Sequence, residues 1–469
     1  MTKRVSVVSA ALILFVSSFA TASAQTSRPP LFQDLKVKKE EPLPSPTPLD
    51  NPLVKKTGSS SPTSPAPGLS VSRRTSIAAL AELDIPGDSG ILIESESGLL
   101  VFESYPDQAF NPASNVKVAT AYAVLKTFGP DFRFVTGVWT DGEIDRETAT
   151  LKGDLYVSGR DPIFGYEHGM AIANELNRLG IRKVEGNLYV TNNFVMNYSN
   201  SAQRSGYTLI NAMDGGKRNA AMTRAWNNYL ANSGNYRPGM IVPSVELTGD
   251  LDVQGIPSGA RLLFSHESAP MREILKVTLS YSNNFLSERL GDMLGGAAAV
   301  ARIVRRDTRA TPEEFSLQTS SGLGINRVTP RTQIALLRLT KKLLAGYDMK
   351  LSDILPVAGI DDGTLRNRFG NDVYRGSVVG KTGTLNRTDG GVSALSGELT
   401  TAQGKFFFVI FNMHGGVYGF RSFQNMLLPL VQGSFGGARP MAYTPVPMEK
   451  RLASTRIKYP NSRRVRLDD

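Results

Sequence analysis

Asn111-Pro112-Ala113-Ser114-Asn115-Val116-Lys117 is the stretch on which the reading of this 469-residue chain turns. Pro112 suits the first turn of a helix, where its missing N–H costs nothing. Val118 to Leu125 follows, rich in Ala, Val and Leu and free of breakers. The pattern predicts a helix ending near Gly129-Pro130, with Ser114 and Lys117 stacked a turn apart on one face. Such a pair offers a hydroxyl nucleophile beside an amine able to take its proton. The spacing alone is weak, because a buried helix carrying an exposed lysine has the same pattern. Its weight comes from two later stretches.

Ser282-Asn283-Asn284 falls within a helical tract that runs from Met271 to Met293 behind Pro270, and Lys381-Thr382-Gly383-Thr384 falls in a strand near the C-terminus. S-x-x-K, S-x-N and K-T-G, in that order on helix, helical region and strand, are a known signature of penicillin-binding proteins and class A β-lactamases. Other nucleophile chemistries fit poorly. The chain has no cysteine, which excludes thiol catalysis and thiolate metal sites. His168, His266 and His414 lie outside all three motifs, so a Ser-His triad is not supported. No histidine pair has ligand spacing, and neither metal nor cofactor is implied.

Hydrophobic residues make up 41% of the chain and charged residues 20%, enough to bury a large core in two or three domains. The net charge of +11 permits contact with anionic polymers or membrane surfaces. No nucleic-acid motif accompanies it, so nucleic acid is set aside as a partner. Residues 1–24 read as a signal peptide: Lys3 and Arg4, an apolar run from Val5 to Phe19, then Ala22-Ser23-Ala24. The run is too short to span a membrane, which predicts a soluble or peripherally membrane-associated periplasmic protein. Residues 25–72 are Pro- and Ser-rich and read as a disordered linker.

Ordered structure is expected from about Ser76. Ile91-Leu92-Ile93 and Leu99-Leu100-Val101-Phe102 flank Ser97-Gly98 as a hairpin. Three further strands are expected near 376–384, 391–399 and 405–412, with helices beginning at Pro330 and near Phe420. Sheet elements at both ends of the ordered region, with helices between, describe an α+β fold: a five-stranded antiparallel sheet with helices, carried by 73–133 and 266–440. Residues 134–265 read as an inserted β-rich domain, in which Gly153-Asp154-Leu155-Tyr156-Val157 and Gly186-Asn187-Leu188-Tyr189-Val190 are similar strands with a helix candidate, Met170 to Leu179, between them. Residues 441–469 read as a basic disordered tail containing Lys450, Arg451, Arg456, Lys458, Arg463, Arg464 and Arg466. Weak electrostatic contact of this tail with wall or membrane surfaces is the alternative to a simply solvated end.

The sequence resembles the PBP4-like D-alanyl-D-alanine carboxypeptidase/endopeptidases (peptidase S13), over about residues 76–435. Beyond the trio, matching stretches are Gly129-Pro130-Asp131-Phe132-Arg133-Phe134, Gly159-Arg160-Asp161-Pro162, His266-Glu267-Ser268-Ala269-Pro270, Ser321-Gly322-Leu323 and Leu355 to Leu365. The resemblance implies a penicillin-binding protein/serine β-lactamase-like transpeptidase fold. It also implies action on peptidoglycan stem peptides and cross-links through a Ser114 acyl-enzyme, with β-lactams as covalent inhibitors. Two departures stand out. The family usually carries an acidic residue before Ser-Gly-Leu, where this chain has Thr319-Ser320. The link Asn386-Arg387-Thr388-Asp389-Gly390-Gly391 after the K-T-G strand is longer than usual.

The residue types suit acyl transfer. Lys117 must be neutral to act as a base, which needs roughly three units of pKa depression, about 4 kcal/mol. Burial and a second cation have the right sign, and Lys381 is the candidate cation. Lys381, Thr382 and Thr384 are expected to hold a substrate carboxylate, and Gly383 to let substrate lie against the strand. By resemblance, the N–H groups of Ser114 and Thr384 form the oxyanion hole, Ser282 relays a proton and Asn284 orients substrate and Lys117. A serine β-lactamase and a non-catalytic wall-binding protein are the competing readings; the intact trio argues against the second.

Overall fold

The computed structural model describes residues 73–460. The signal peptide, the linker and the arginines at 463, 464 and 466 lie outside the described residues. The central sheet runs in the order Arg74–Thr75, Leu100–Ser104, Asp88–Ser95, Gly404–Met413, Val392–Thr401 and Val378–Leu385, antiparallel throughout. These are the five expected strands plus a two-residue edge strand too short to show a pattern. Phe406-Phe407-Phe408-Val409-Ile410-Phe411 is apolar without alternation because both faces are covered. Phe406, Phe408 and Ile410 join Phe423, Leu427, Leu428 and Val431 of the helix Val417–Ser434 in one core. On the other side the Arg338 guanidinium of the helix Pro330–Ala345 lies over the Phe407 ring, 4.8 Å from its centre.

The helix Val116–Phe128 is buried at every position from Val116 to Leu125, as a helix apolar all round its surface must be. It packs against four helices: Met271–Tyr281, Asn284–Asp292, Ala297–Thr308 and Pro330–Ala345. The expected tract from Met271 to Met293 is two helices. Ser282 adopts a left-handed conformation (φ 57°, ψ 41°) that ends the first. Asn283 caps the second, its Oδ1 accepting from Leu286 N at 3.0 Å. The S-x-N motif therefore occupies a helix break, where a side chain can leave the helix face.

Residues 134–265 hold more helix than expected. The strands Leu155–Ser158 and Leu188–Val190 pair parallel, and a parallel pair needs a long crossover; the helix Tyr166–Arg178 supplies it. Two more helices, Ala202–Met213 and Ala220–Ser233, follow. A third copy of the repeated strand, Leu251–Val253 after Gly249-Asp250, pairs parallel to the second. The three turns nest: a Cβ on Gly186 would meet Gly153 O at 2.2 Å, and one on Gly249 would meet Gly186 O at 2.2 Å. The repeated glycine is thus set by backbone contact between copies.

The expectation of a disordered tail from 441 is corrected over 441–460. Met448–Leu452 is helical, and Arg456–Lys458 pairs antiparallel with Arg261–Glu267. Two of its basic side chains find acids: Arg451, itself largely buried, pairs with Glu273 and the exposed Lys458 with Glu267, each at 2.6 Å. Tyr443 donates to Asp361 Oδ1 at 2.8 Å. Asp361 in turn forms a fully buried ion pair with Lys276 at 2.6 Å. Among the described residues no helix is long and apolar enough to cross a membrane.

Candidate active site

Ser114 sits in a 3₁₀ turn, Ala113–Asn115, that leads into the buried helix. The turn is strained: Ala113 has φ 45°, a region costly for a residue with a Cβ. Asn111 holds it, its Oδ1 accepting from Ala113 N at 3.0 Å. Two glycines make room for it. A Cβ on Gly383 would stand 2.7 Å from Pro112 O and 3.0 Å from Ser114 N, and one on Gly322 would stand 2.0 Å from Ala113 O. This corrects the expected reason for Gly383: the space beside it is filled by the serine's own turn, not kept for substrate.

Lys117 is 1% exposed. Its Nζ lies 3.0 Å from Ser114 Oγ, 2.7 Å from Asn284 Oδ1 and 2.6 Å from Ser321 O. Two of these partners only accept, while the hydroxyl can also donate. An ammonium satisfies all three with its three N–H groups, and a neutral amine does so with two N–H bonds to the obligate acceptors and its lone pair turned to the Ser114 O–H, so the lysine can lose a proton without losing a partner. Burial pulls Lys117 down to about 7, against the opposing pull of the Glu288 carboxylate. Glu288 accepts from Ser321 N at 2.9 Å and Ser320 N at 3.1 Å. The loop that lacks the usual acid before Ser-Gly-Leu is thus gripped by a carboxylate from the helix Asn284–Asp292.

Lys381 is fully buried, its Nζ donating to Ser282 Oγ at 2.9 Å and Thr382 O at 2.8 Å. Burial, and then the charge of Lys117, hold it well below the usual lysine range. The two amines therefore compete for protons as a pair. Along the edge strand Val378–Leu385 side chains alternate. Lys381 and Gly383 share one face, Thr382 and Thr384 the other. Thr382 Oγ1 bonds Thr364 Oγ1 at 2.8 Å, and Thr384 Oγ1 accepts from Arg421 Nη2 at 2.8 Å. The long link 386–391 is anchored. Asp389 accepts from Arg327 Nη1 at 2.9 Å and Nη2 at 3.0 Å, and from Asn111 Nδ2 at 2.8 Å.

The geometry brings all eight expected residues into two linked clusters, Ser114-Lys117-Asn284 and Ser282-Lys381 with the strand 382–384. Glu288, Asp389 and Arg421 were not anticipated; only Glu288 had a local signal, standing one helical turn after Asn284. The histidines lie elsewhere. His168 and His266 pack ring to ring, centroids 4.9 Å apart, and His414 Nδ1 contacts Asp88 Oδ2 at 2.7 Å. A serine paired with a buried lysine, beside the edge strand of an antiparallel sheet, defines a serine-lysine acyl-transfer enzyme of the penicillin-recognising fold.

The chain belongs to the D-Ala-D-Ala carboxypeptidase 3 (S13) family, whose pattern matches residues 78–206 and 242–421, and it is a serine peptidase of that family. It is 26% identical to a D-alanyl-D-alanine carboxypeptidase of Actinomadura sp. (strain R39), over 70% of this chain and 78% of that protein. It is 28% identical to a D-alanyl-D-alanine carboxypeptidase, DacB, of Haemophilus influenzae, over 40% of this chain and 41% of that protein. Among solved structures, the penicillin G-acylated predatory endopeptidase Bd3459 of Bdellovibrio bacteriovorus superposes with TM-score 0.66. It is 22% identical, covering 79% of this chain and 99% of that one. Penicillin-binding protein 4 of H. influenzae superposes with TM-score 0.55 at 20% identity, covering 75% and 98%. Both likenesses establish the fold.

Proposed function

We propose that the chain hydrolyses the peptide bond that follows D-alanine in peptidoglycan stem peptides and cross-links, and that β-lactams acylate the same serine. The carrying observation is the Lys117 amine, buried at 1% exposure and 3.0 Å from Ser114 Oγ, where burial brings it down to about 7. Lys117 takes the Ser114 proton as Oγ attacks the D-alanine carbonyl. The oxyanion rests on the N–H groups of Ser114 and Thr384; one such donor is worth on the order of 100 to 1,000-fold in rate. Ser282, polarised by Lys381, passes a proton to the departing nitrogen and is recharged with the proton that Lys117 took, so the C–N bond breaks and Lys117 is neutral again. Water then attacks the ester carbonyl and gives a proton to Lys117, which returns it to Ser114 Oγ as the ester C–O bond breaks and the acyl group leaves as a carboxylic acid. Asn284 holds Lys117 in place throughout.

Export to the periplasm follows from residues 1–24 on this reading, as does any loose attachment through the basic residues beyond 460. Digestion of purified muropeptides followed by mass analysis tests the activity. Native protein should release D-alanine or split dimers, and Ser114→Ala should do neither. Failure of the native protein on both substrates removes the peptidase reading, and rapid turnover of penicillin in place of a lasting adduct replaces it with a β-lactamase.

A further inference from the structure

Lys117 has to be two things in turn. Before Ser114 attacks it is a neutral amine, and once it has taken the proton it is an ammonium in a buried place. Burial favours the first and opposes the second, so an amine lowered by burial alone is neutral but a weak base. One carboxylate stands where it bears on this. Glu288 is carried by the helix Asn284–Asp292, one turn after Asn284, and is half-buried. Its two oxygens accept from consecutive N–H groups, Ser321 N at 2.9 Å and Ser320 N at 3.1 Å. The carbonyls of the same two residues face the nucleophile helix Val116–Phe128. Ser321 O accepts from Lys117 Nζ at 2.6 Å, and Ser320 O from Thr120 Oγ1 at 2.7 Å. Ser320 and Ser321 are fully buried, so their N–H groups depend on Glu288 rather than on bulk water. Among the described residues two charged groups act on Lys117: Glu288, which favours the ammonium, and Lys381 of the edge strand, which opposes it.

We propose that Glu288 is a positioning residue for acyl transfer: it holds the backbone carbonyl on which Lys117 rests, and its negative charge steadies the ammonium that forms when Lys117 takes the Ser114 proton. The proposal rests on the reading of Ser114 as nucleophile and Lys117 as its base. Glu288 acts through two links, the peptide units of Ser320 and Ser321 and the field between its carboxylate and the amine. The sign of the second is fixed. A carboxylate raises a nearby lysine, so its removal lowers Lys117 below about 7. The amine is then neutral at lower pH but holds the serine proton less well. The pH midpoint of acylation and the rate on its plateau should therefore fall together. A merely structural role does not do this, because a partly unfolded sample loses rate without moving the midpoint.

The test is the pH dependence of acylation by a chromogenic cephalosporin, followed by stopped flow from well below to well above neutrality. Native protein, Glu288→Gln and Glu288→Asp are compared, with thermal unfolding as a check on folding. Glu288→Gln keeps the shape and loses the charge; its midpoint should fall by about 1 unit and its plateau rate about 10-fold. Glu288→Asp keeps the charge but is one methylene short of its two N–H partners; its midpoint should stay near native and its plateau fall about 3-fold. A Glu288→Gln midpoint within about 0.3 unit of native, or a plateau within twofold of native, overturns the proposal, as does a Glu288→Asp midpoint displaced as far as that of Glu288→Gln. Should Glu288→Gln fail to fold, Glu288→Asp decides alone: a lowered plateau at an unmoved midpoint supports the proposal, and any other pairing overturns it. Penicillin labelling of Ser114 in native protein tests the underlying reading separately, so the two failures are distinguishable.

Discussion

Replacing Asp389 by alanine isolates what holds the nucleophile in place. Asp389 is 12% exposed and its partner Arg327 35%, so the paired charges are partly screened and contribute about 1 kcal/mol. The hydrogen bond from Asn111, which is fully buried, adds about 1–2 kcal/mol. Loss of both should cost roughly 2–3 kcal/mol of folding stability, read from urea unfolding. The kinetic effect follows from Asn111, which pins Ala113 at φ 45°. That conformation stores about 1–2 kcal/mol. If it relaxes when Asn111 is freed, the acylation barrier rises by a similar amount and the rate falls roughly 5- to 30-fold. Stopped-flow acylation by a chromogenic cephalosporin measures the rate directly. A variant that loses the expected stability yet acylates within twofold of native would refute the reasoning, because the turn would then be held by something else.

Three further outcomes follow from the same geometry. Acylation should rise with pH with a midpoint near 7, since burial sets Lys117 at about 7 and only the form above that value accepts a proton; a midpoint in the usual lysine range contradicts this. Gly383→Ala should slow acylation about 100-fold with little change in Tm, because its Cβ would push on Pro112 O and Ser114 N; penicillin labelling against time checks it. Lys276→Met should destabilise by about 3–5 kcal/mol in urea unfolding, because it leaves the buried Asp361 without its cation.

Much of this was legible in the sequence because chemistry restricts residue type. A nucleophile, a base and an anion-holding strand leave Ser114, Lys117 and Lys381-Thr382-Gly383-Thr384 recognisable at any distance apart. The central strands were legible because their apolar runs are long. What escaped depends on partners remote in sequence. Asp389 meets Asn111 from 278 positions away, and nothing local marks it as more than a turn residue. Gly383 showed that a side chain was unwanted, but not that the neighbour is Pro112 O. The strand Arg456–Lys458 was hidden in a basic stretch, because the acids that pair with it, such as Glu267 with Lys458, lie elsewhere. In 134–265 the crossover helix was legible as Met170 to Leu179, whereas Ala202–Met213 and Ala220–Ser233 and the parallel pairing were not, because the similar strands show their likeness but not their direction, and direction decides whether a hairpin can join them.

The central claim is that a neutral Lys117 makes an ester-forming nucleophile of Ser114. The most direct measurement is intact-protein and peptide mass analysis after brief exposure to penicillin at pH 8, on native protein and on Lys117→Met. The account predicts one adduct per native chain, on the peptide containing Ser114, and none on the variant over the same interval. An adduct on another residue, or equal labelling of Ser114 without Lys117, would contradict it.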